Sequence, residues 1–95
     1  MNADEFRASL AGAAPPPRLM PALGGLWHDG KGDWDAAHRT VQEASDPDSA
    51  WVHAYLHRKE GDLWNAGYWY SRAGRSQASG GFAEEWVSLV EALCR

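Results

Sequence analysis

The run HAYLHRKEGDLWNAGYWYSRAG, residues 53–74, decides how the rest of the chain is read. Its first half sets Tyr55 and Leu56 among His53 and His57 and ends in Arg58 and Lys59, cations that complement the C-terminal end of a helix dipole. Gly61 is a helix stop, and Asp62 is placed to cap a following helix by accepting from its free amides. The second half then reads as another helix, Leu63 to Ala73, closed at Gly74. The run predicts a helical hairpin.

Working outward, Asp46 and Pro47 supply an N-cap and a first helical residue, so the first helix of this hairpin runs to Glu60 with Trp51, Val52, Tyr55 and Leu56 inward. Upstream, Gly30, Lys31 and Gly32 make a turn, and Asp33 caps a helix carrying Trp34, Ala37, Val41 and Ala44 at helical steps. Before that turn, from Arg18 to about Gly30, Leu19, Leu23, Leu26 and Trp27 form another helical stripe. Gly24 and Gly25 weaken this helix by roughly 1 kcal/mol each relative to alanine and suit close packing. Downstream, Arg75 to Gly81 has little to bury and reads as a linker. Phe82, Trp86, Leu89, Val90 and Leu93 then mark the clearest amphipathic helix, with Glu84, Glu85 and Glu91 off its apolar stripe. Residues 1–17 hold a short helical run around Phe6 and Leu10 that Gly12 and Pro15 to Pro17 end, and read as a flexible N-terminal arm.

The expected architecture is therefore all-α: a helical domain over 18–95 made of an antiparallel hairpin at 18–45, a second at 46–74, and a C-terminal amphipathic helix at 82–94. The two hairpins also repeat one another. Gly61-Asp62 lies 29 residues after Gly32-Asp33, and at the same spacing His57 follows His28, Ala66 follows Ala37 and Ala73 follows Ala44. Small residues recur where two helices must approach, as in stacked hairpin units.

These positions resemble the tetratricopeptide repeat. In the second unit Ala54 stands at that family's small position, His57 at its aromatic one, and Ala66, Tyr70 and Ala73 at the small-aromatic-small run of its second helix; Gly25, His28, Ala37, Val41 and Ala44 fill the same places in the first unit. Ala50 and His53 replace the family's Trp and Leu, no proline follows Ala73, and the period of 29 residues is shorter than the usual 34. More specifically, residues 24 to 75 are similar to small bacterial proteins that share HAYLHRKEGD and NAGYWYSRAG, a resemblance that brings no activity with it. Tetratricopeptide-like folds imply a peptide or protein partner, on the analogy of fold alone.

Composition narrows the function classes. At 95 residues the chain makes one small domain, and six Trp provide much of what it buries or presents to a partner. The net charge is −4 and the nine Lys and Arg are scattered, so no basic stripe is offered to a nucleic acid. A single cysteine, Cys94, permits no intramolecular disulfide and suggests a reducing, cytoplasmic setting; the first twenty residues lack the pattern of a secretory signal, and no run approaches a membrane span.

Two constellations carry the candidate chemistry. His53 and His57 share a helix face at a spacing that helical metal sites use, with Glu60 next to them and His28 and His38 approaching from the first hairpin; together these imidazoles suit a divalent metal ion. The simpler reading has His57 as a core residue bonded to a carbonyl or to Asp62. Tyr68, Trp69 and Tyr70 are consecutive and so point about 100° apart on a helix. Tyr70 belongs to the buried side; Trp64, Tyr68 and Arg72, together with His53, form the candidate binding surface, Arg72 lying over the Tyr68 ring, unless the final helix covers Trp64 or Trp69. The aspartates read as caps rather than a catalytic pair, and no nucleophile sits in a recognisable motif. The sequence thus favours a non-catalytic module that binds a protein or peptide or pairs with itself, with no cofactor, over a histidine-based metal- or small-ligand site with hydrolytic potential.

Overall fold

The computed structural model describes residues 1–94. It contains six helices: α1 (Ala3–Ser9), α2 (Pro21–Gly30), α3 (Trp34–Val41), α4 (Pro47–Lys59), α5 (Leu63–Ala73) and α6 (Phe82–Leu93), with no strand among the described residues. The chain is all-α, as the hydrophobic periodicity predicts. Local chemistry sets the boundaries. Asp33, Asp46 and Asp62 each accept, through the side chain, the backbone N–H three residues on, and Pro47 opens α4. The two hairpin turns require positive φ, +83° at Gly32 and +90° at Gly61, where a Cβ would be strained.

The tightest pairings are α2 with α3 and α4 with α5, and α4 also packs on α2, α3 and α6. Gly25 makes the first of these contacts possible: a Cβ there would come within 2.7 Å of a Val41 methyl and 3.2 Å of a Val52 methyl. Leu26, Trp27, Ala37, Val41, Val52, Tyr55, Leu56, Leu89 and Val90 form the main core, while Ala54, Ala66 and Tyr70 form a smaller one inside the second hairpin. Arg75, just past Gly74, lies 3.9 Å from the centre of the Trp51 ring and half-covers it.

Four features differ from the sequence reading. The first helix of the domain starts at Pro21 rather than Arg18, which has φ +64°. Within the segment read as an arm, Phe6 to Gly12 contacts the domain: Phe6 is fully buried against Trp86, and Lys31 Nζ donates to the carbonyls of Leu10 and Gly12 at 2.7 and 3.0 Å. A single buried phenyl ring has no periodicity that a sequence pattern registers. Glu85 is buried because Tyr70 donates its hydroxyl proton to it and Arg58 pairs with it at 2.9 Å. Phe82, expected inward, is 43% exposed, with the Arg58 guanidinium 4.8 Å from its ring centre.

Candidate metal centre

The packing of α4 on α3 brings His38 to the shared face of His53 and His57. A residue pair four apart on α4 stacks its rings, with centroids 4.8 Å apart, and His38 faces both, 4.8 Å from His53 and 5.2 Å from His57. His38 Nε2 and His53 Nε2 are 3.1 Å apart. One ring nitrogen from each of the three residues lies within 4.8 Å of the other two.

Two indoles wall the group. Trp34 stacks on His38 at 5.0 Å with planes 8° apart, meets His57 edge-on at 6.1 Å, and is itself held by donating its Nε1–H to the Leu56 carbonyl at 2.8 Å. Trp69 stacks on His53 at 4.0 Å. Glu60 Oε2 accepts from His57 Nδ1 at 2.6 Å, so the proton of a neutral His57 sits on Nδ1 and the Nε2 lone pair is free. His53 and His57 are buried and His38 is half-buried. Burial, and then the neighbouring His57 and His38, hold the His53 imidazole down at about 4. The same two causes, burial and then His57, lower His38, against the opposing charges of Glu60 and Asp35. His53 Nδ1 is buried and has no hydrogen-bond partner.

Three of the four histidines singled out from the sequence therefore converge. His28 does not: it lies in the last turn of α2, edge-on to Trp27 at 5.3 Å. The partner of His57 is Glu60 rather than Asp62, whose carboxylate caps α5 at Asn65. Trp34 and Trp69 were not singled out as walls. The Trp34–His38 spacing of four residues is the sequence signal for one of them; the other depends on how α5 rests on α4.

The second constellation is on α5. Trp64 is 85% exposed, Leu63 57% and Tyr68 47%. Arg72 Nη1 donates to the Tyr68 hydroxyl at 3.0 Å, and its guanidinium lies 5.8 Å from the Tyr68 ring centre and 5.3 Å from that of Trp69. The final helix does not cover these rings, because α6 packs on α1, α2 and α4; Trp69 spends its face on His53 instead. His53, assigned from sequence to both constellations, belongs to the histidine group.

No protein-family model, curated protein or solved structure matches the chain.

Proposed function

We propose that the chain is a small helical module that binds a divalent transition-metal ion of the zinc class through His38, His53 and His57. The observation that carries the reading is the convergence of three imidazoles from two hairpins. Two nitrogens bound to one tetrahedral ion at about 2.0–2.1 Å stand roughly 3.3 Å apart, and the His38–His53 separation is 3.1 Å. The His53 and His38 imidazoles, held neutral, have no proton to lose before binding at neutral pH. Glu60 would act on the ion through His57, fixing its tautomer and raising its basicity. Three protein ligands leave a fourth position for water or a donor from elsewhere. The reading assigns binding and no reaction.

The test is calorimetric titration of the metal-free protein with Zn²⁺, and with Co²⁺ followed by its visible absorption. One ion per chain, a tetrahedral Co²⁺ spectrum and loss of both in His38→Ala support the reading. His38 is half-exposed, so that variant spares the core. Absence of stoichiometric binding, or binding that survives His38→Ala together with His57→Ala, overturns it.

A second reading, an interaction module for a protein, a peptide or a second copy of the chain, is favoured by Trp64. Among the described helices α4 packs along α5 and α6 reaches it through the Tyr70–Glu85 hydrogen bond, while Leu63, Trp64 and Tyr68 on α5 stay exposed. A dimer in solution that Trp64→Ser dissociates supports pairing; a monomer unchanged by that substitution counts against it. No helix among the described residues is long and apolar enough to cross a membrane.

A further inference from the structure

A groove of about 490 Å³ runs between α1, the end of α2, α4 and α6, and none of the three converging histidines lines it. Its walls are apolar, with Leu10 from α1's C-terminal cap and Phe82, Trp86 and Val87 from α6. These walls are fixed independently of any occupant. Phe6 is fully buried beside Trp86, the Trp86 Nε1–H donates to the Leu26 carbonyl at 2.9 Å, and Lys31 holds the Leu10 carbonyl.

The polar content of the groove is one-sided. The Tyr55 hydroxyl and the Asp29 carboxylate are lining groups, but they satisfy each other at 2.5 Å, and Asp29 also accepts from Lys59 Nζ at 3.0 Å. The carboxylate is therefore neutralised. Lys59 has further protons to donate and a side chain that is 37% exposed. The guanidinium of Arg7, the other lining cation, makes no hydrogen bond or ion pair among the described residues. On a chain of net charge −4, the lining charges Arg7, Lys59 and Asp29 leave one net positive charge beside an apolar wall, a local inversion of sign, with unused donors on both cations. The volume is that of an ordinary small-molecule site, in which a few polar groups orient a ligand held by apolar contact.

We propose that this groove binds a small organic anion with an apolar body, a medium-chain or aryl carboxylate, its head group on Arg7 and Lys59 and its body along Leu10, Phe82 and Trp86. Charge complementarity selects the head group. A cationic amphiphile would meet Arg7 and Lys59 as like charges, and a neutral alcohol would leave the guanidinium unused.

The experiment is a titration of the ¹⁵N-labelled full chain with decanoate, 2-naphthoate, decanol and decyltrimethylammonium, read at the indole N–H of Trp86 with that of Trp64 as a remote reference. The expected result is saturable one-to-one binding of both carboxylates that shifts Trp86 and spares Trp64, with at least tenfold weaker binding of the alcohol and the cation. Arg7→Glu, a surface change, should weaken the carboxylates at least tenfold. Ala83→Phe, which fills the groove from an exposed position on α6, should abolish the Trp86 shift. No saturable shift at millimolar carboxylate overturns the proposal. So does equal binding of the cationic amphiphile, or binding indifferent to both substitutions. The metal titration above has no bearing on these outcomes, since no residue is shared.

Discussion

His28 and His57 stand 29 residues apart, each in the first helix of a helical hairpin, and their backbones behave alike. Each lies in the last turn of its helix, four residues before a glycine of positive φ, and each carbonyl accepts the N–H of the capping aspartate, Asp33 at 3.0 Å and Asp62 at 2.9 Å. Their side chains share nothing. His57 lies where α4 rests on α3, so it meets His38 and Trp34, whereas the His28 ring is edge-on to Trp27 of its own helix. The open face of α5 shows the same rule from the other side. Leu63, the counterpart of Trp34, is 57% exposed because no further helix is laid on α5 as α4 is laid on α3. Local sequence thus dictates turns and caps, while the neighbour that each hairpin receives decides what its side chains do.

The surest way to break this comparison is to part the two hairpins. Gly25→Leu places a side chain where a Cβ alone comes within 2.7 Å of Val41 and 3.2 Å of Val52, so α2, α3 and α4 cannot keep their spacing. A loss of about 3 kcal/mol or more is expected in urea unfolding, at the upper end for overpacking. Zinc affinity should fall with it, because His38 reaches His53 only while α3 lies on α4. Full stability together with unchanged metal binding would show that the hairpins do not depend on this contact.

Acid separates the histidine group next. His53 is held at about 4 in the folded chain against an ordinary 6.5, by burial first and then by His57 and His38. An unfolded chain binds the proton that the folded one refuses, so stability is complete above pH 6.5 and declines as pH falls to about 4. For the metal-free protein the loss assigned to His53 is on the order of 3 kcal/mol, and the lowered His38 adds in the same direction. Unfolding followed from pH 7.5 to 4 in wild type and His53→Gln checks it: the variant should show the shallower slope, and identical slopes would remove His53 as the cause.

The sequence made the hairpins legible because their signals are local. Asp33, Asp46 and Asp62 cap within three residues, Gly32 and Gly61 turn the chain, and Tyr70 and Ala66 fall on the buried side by spacing alone. The Tyr68–Arg72 contact was equally readable, being four residues apart on one helix. What stayed hidden depends on elements distant in sequence. Glu85 looked like a surface acid until Arg58 and Tyr70 were seen to satisfy it, and Phe6 looked like part of an arm because its partner Trp86 is on α6. The histidine group was half visible: the spacing of His53 and His57 placed two rings, but only the stacking of units tells His38 from His28. Trp69 was the least accessible, since three consecutive aromatics leave open which ring receives a neighbour.

The remaining contrasts are smaller and finer. Glu60→Gln keeps the shape beside His57 and removes the charge, so zinc should bind about 10- to 100-fold more weakly, the usual cost of losing a carboxylate behind a ligating histidine. Gln in place of Glu60 with affinity unchanged would place the ion elsewhere. The smallest effect on stability is expected on α5. Trp64 is 85% exposed, so Trp64→Ser removes little buried area and should shift unfolding by no more than about 0.5 kcal/mol. Leu63→Ala should do the same, whereas Trp34→Ala, at the equivalent site of the covered unit, removes the indole that stacks on His38 and holds the Leu56 carbonyl. If neighbours rather than repeat position decide these costs, the Trp34 and Leu63 variants should differ by about 2 kcal/mol or more, given the usual penalty for truncating a packed aromatic. Equal costs at the two positions would mean that α5 is covered in solution, and a sedimentation measurement on the same samples would then show the second copy that covers it.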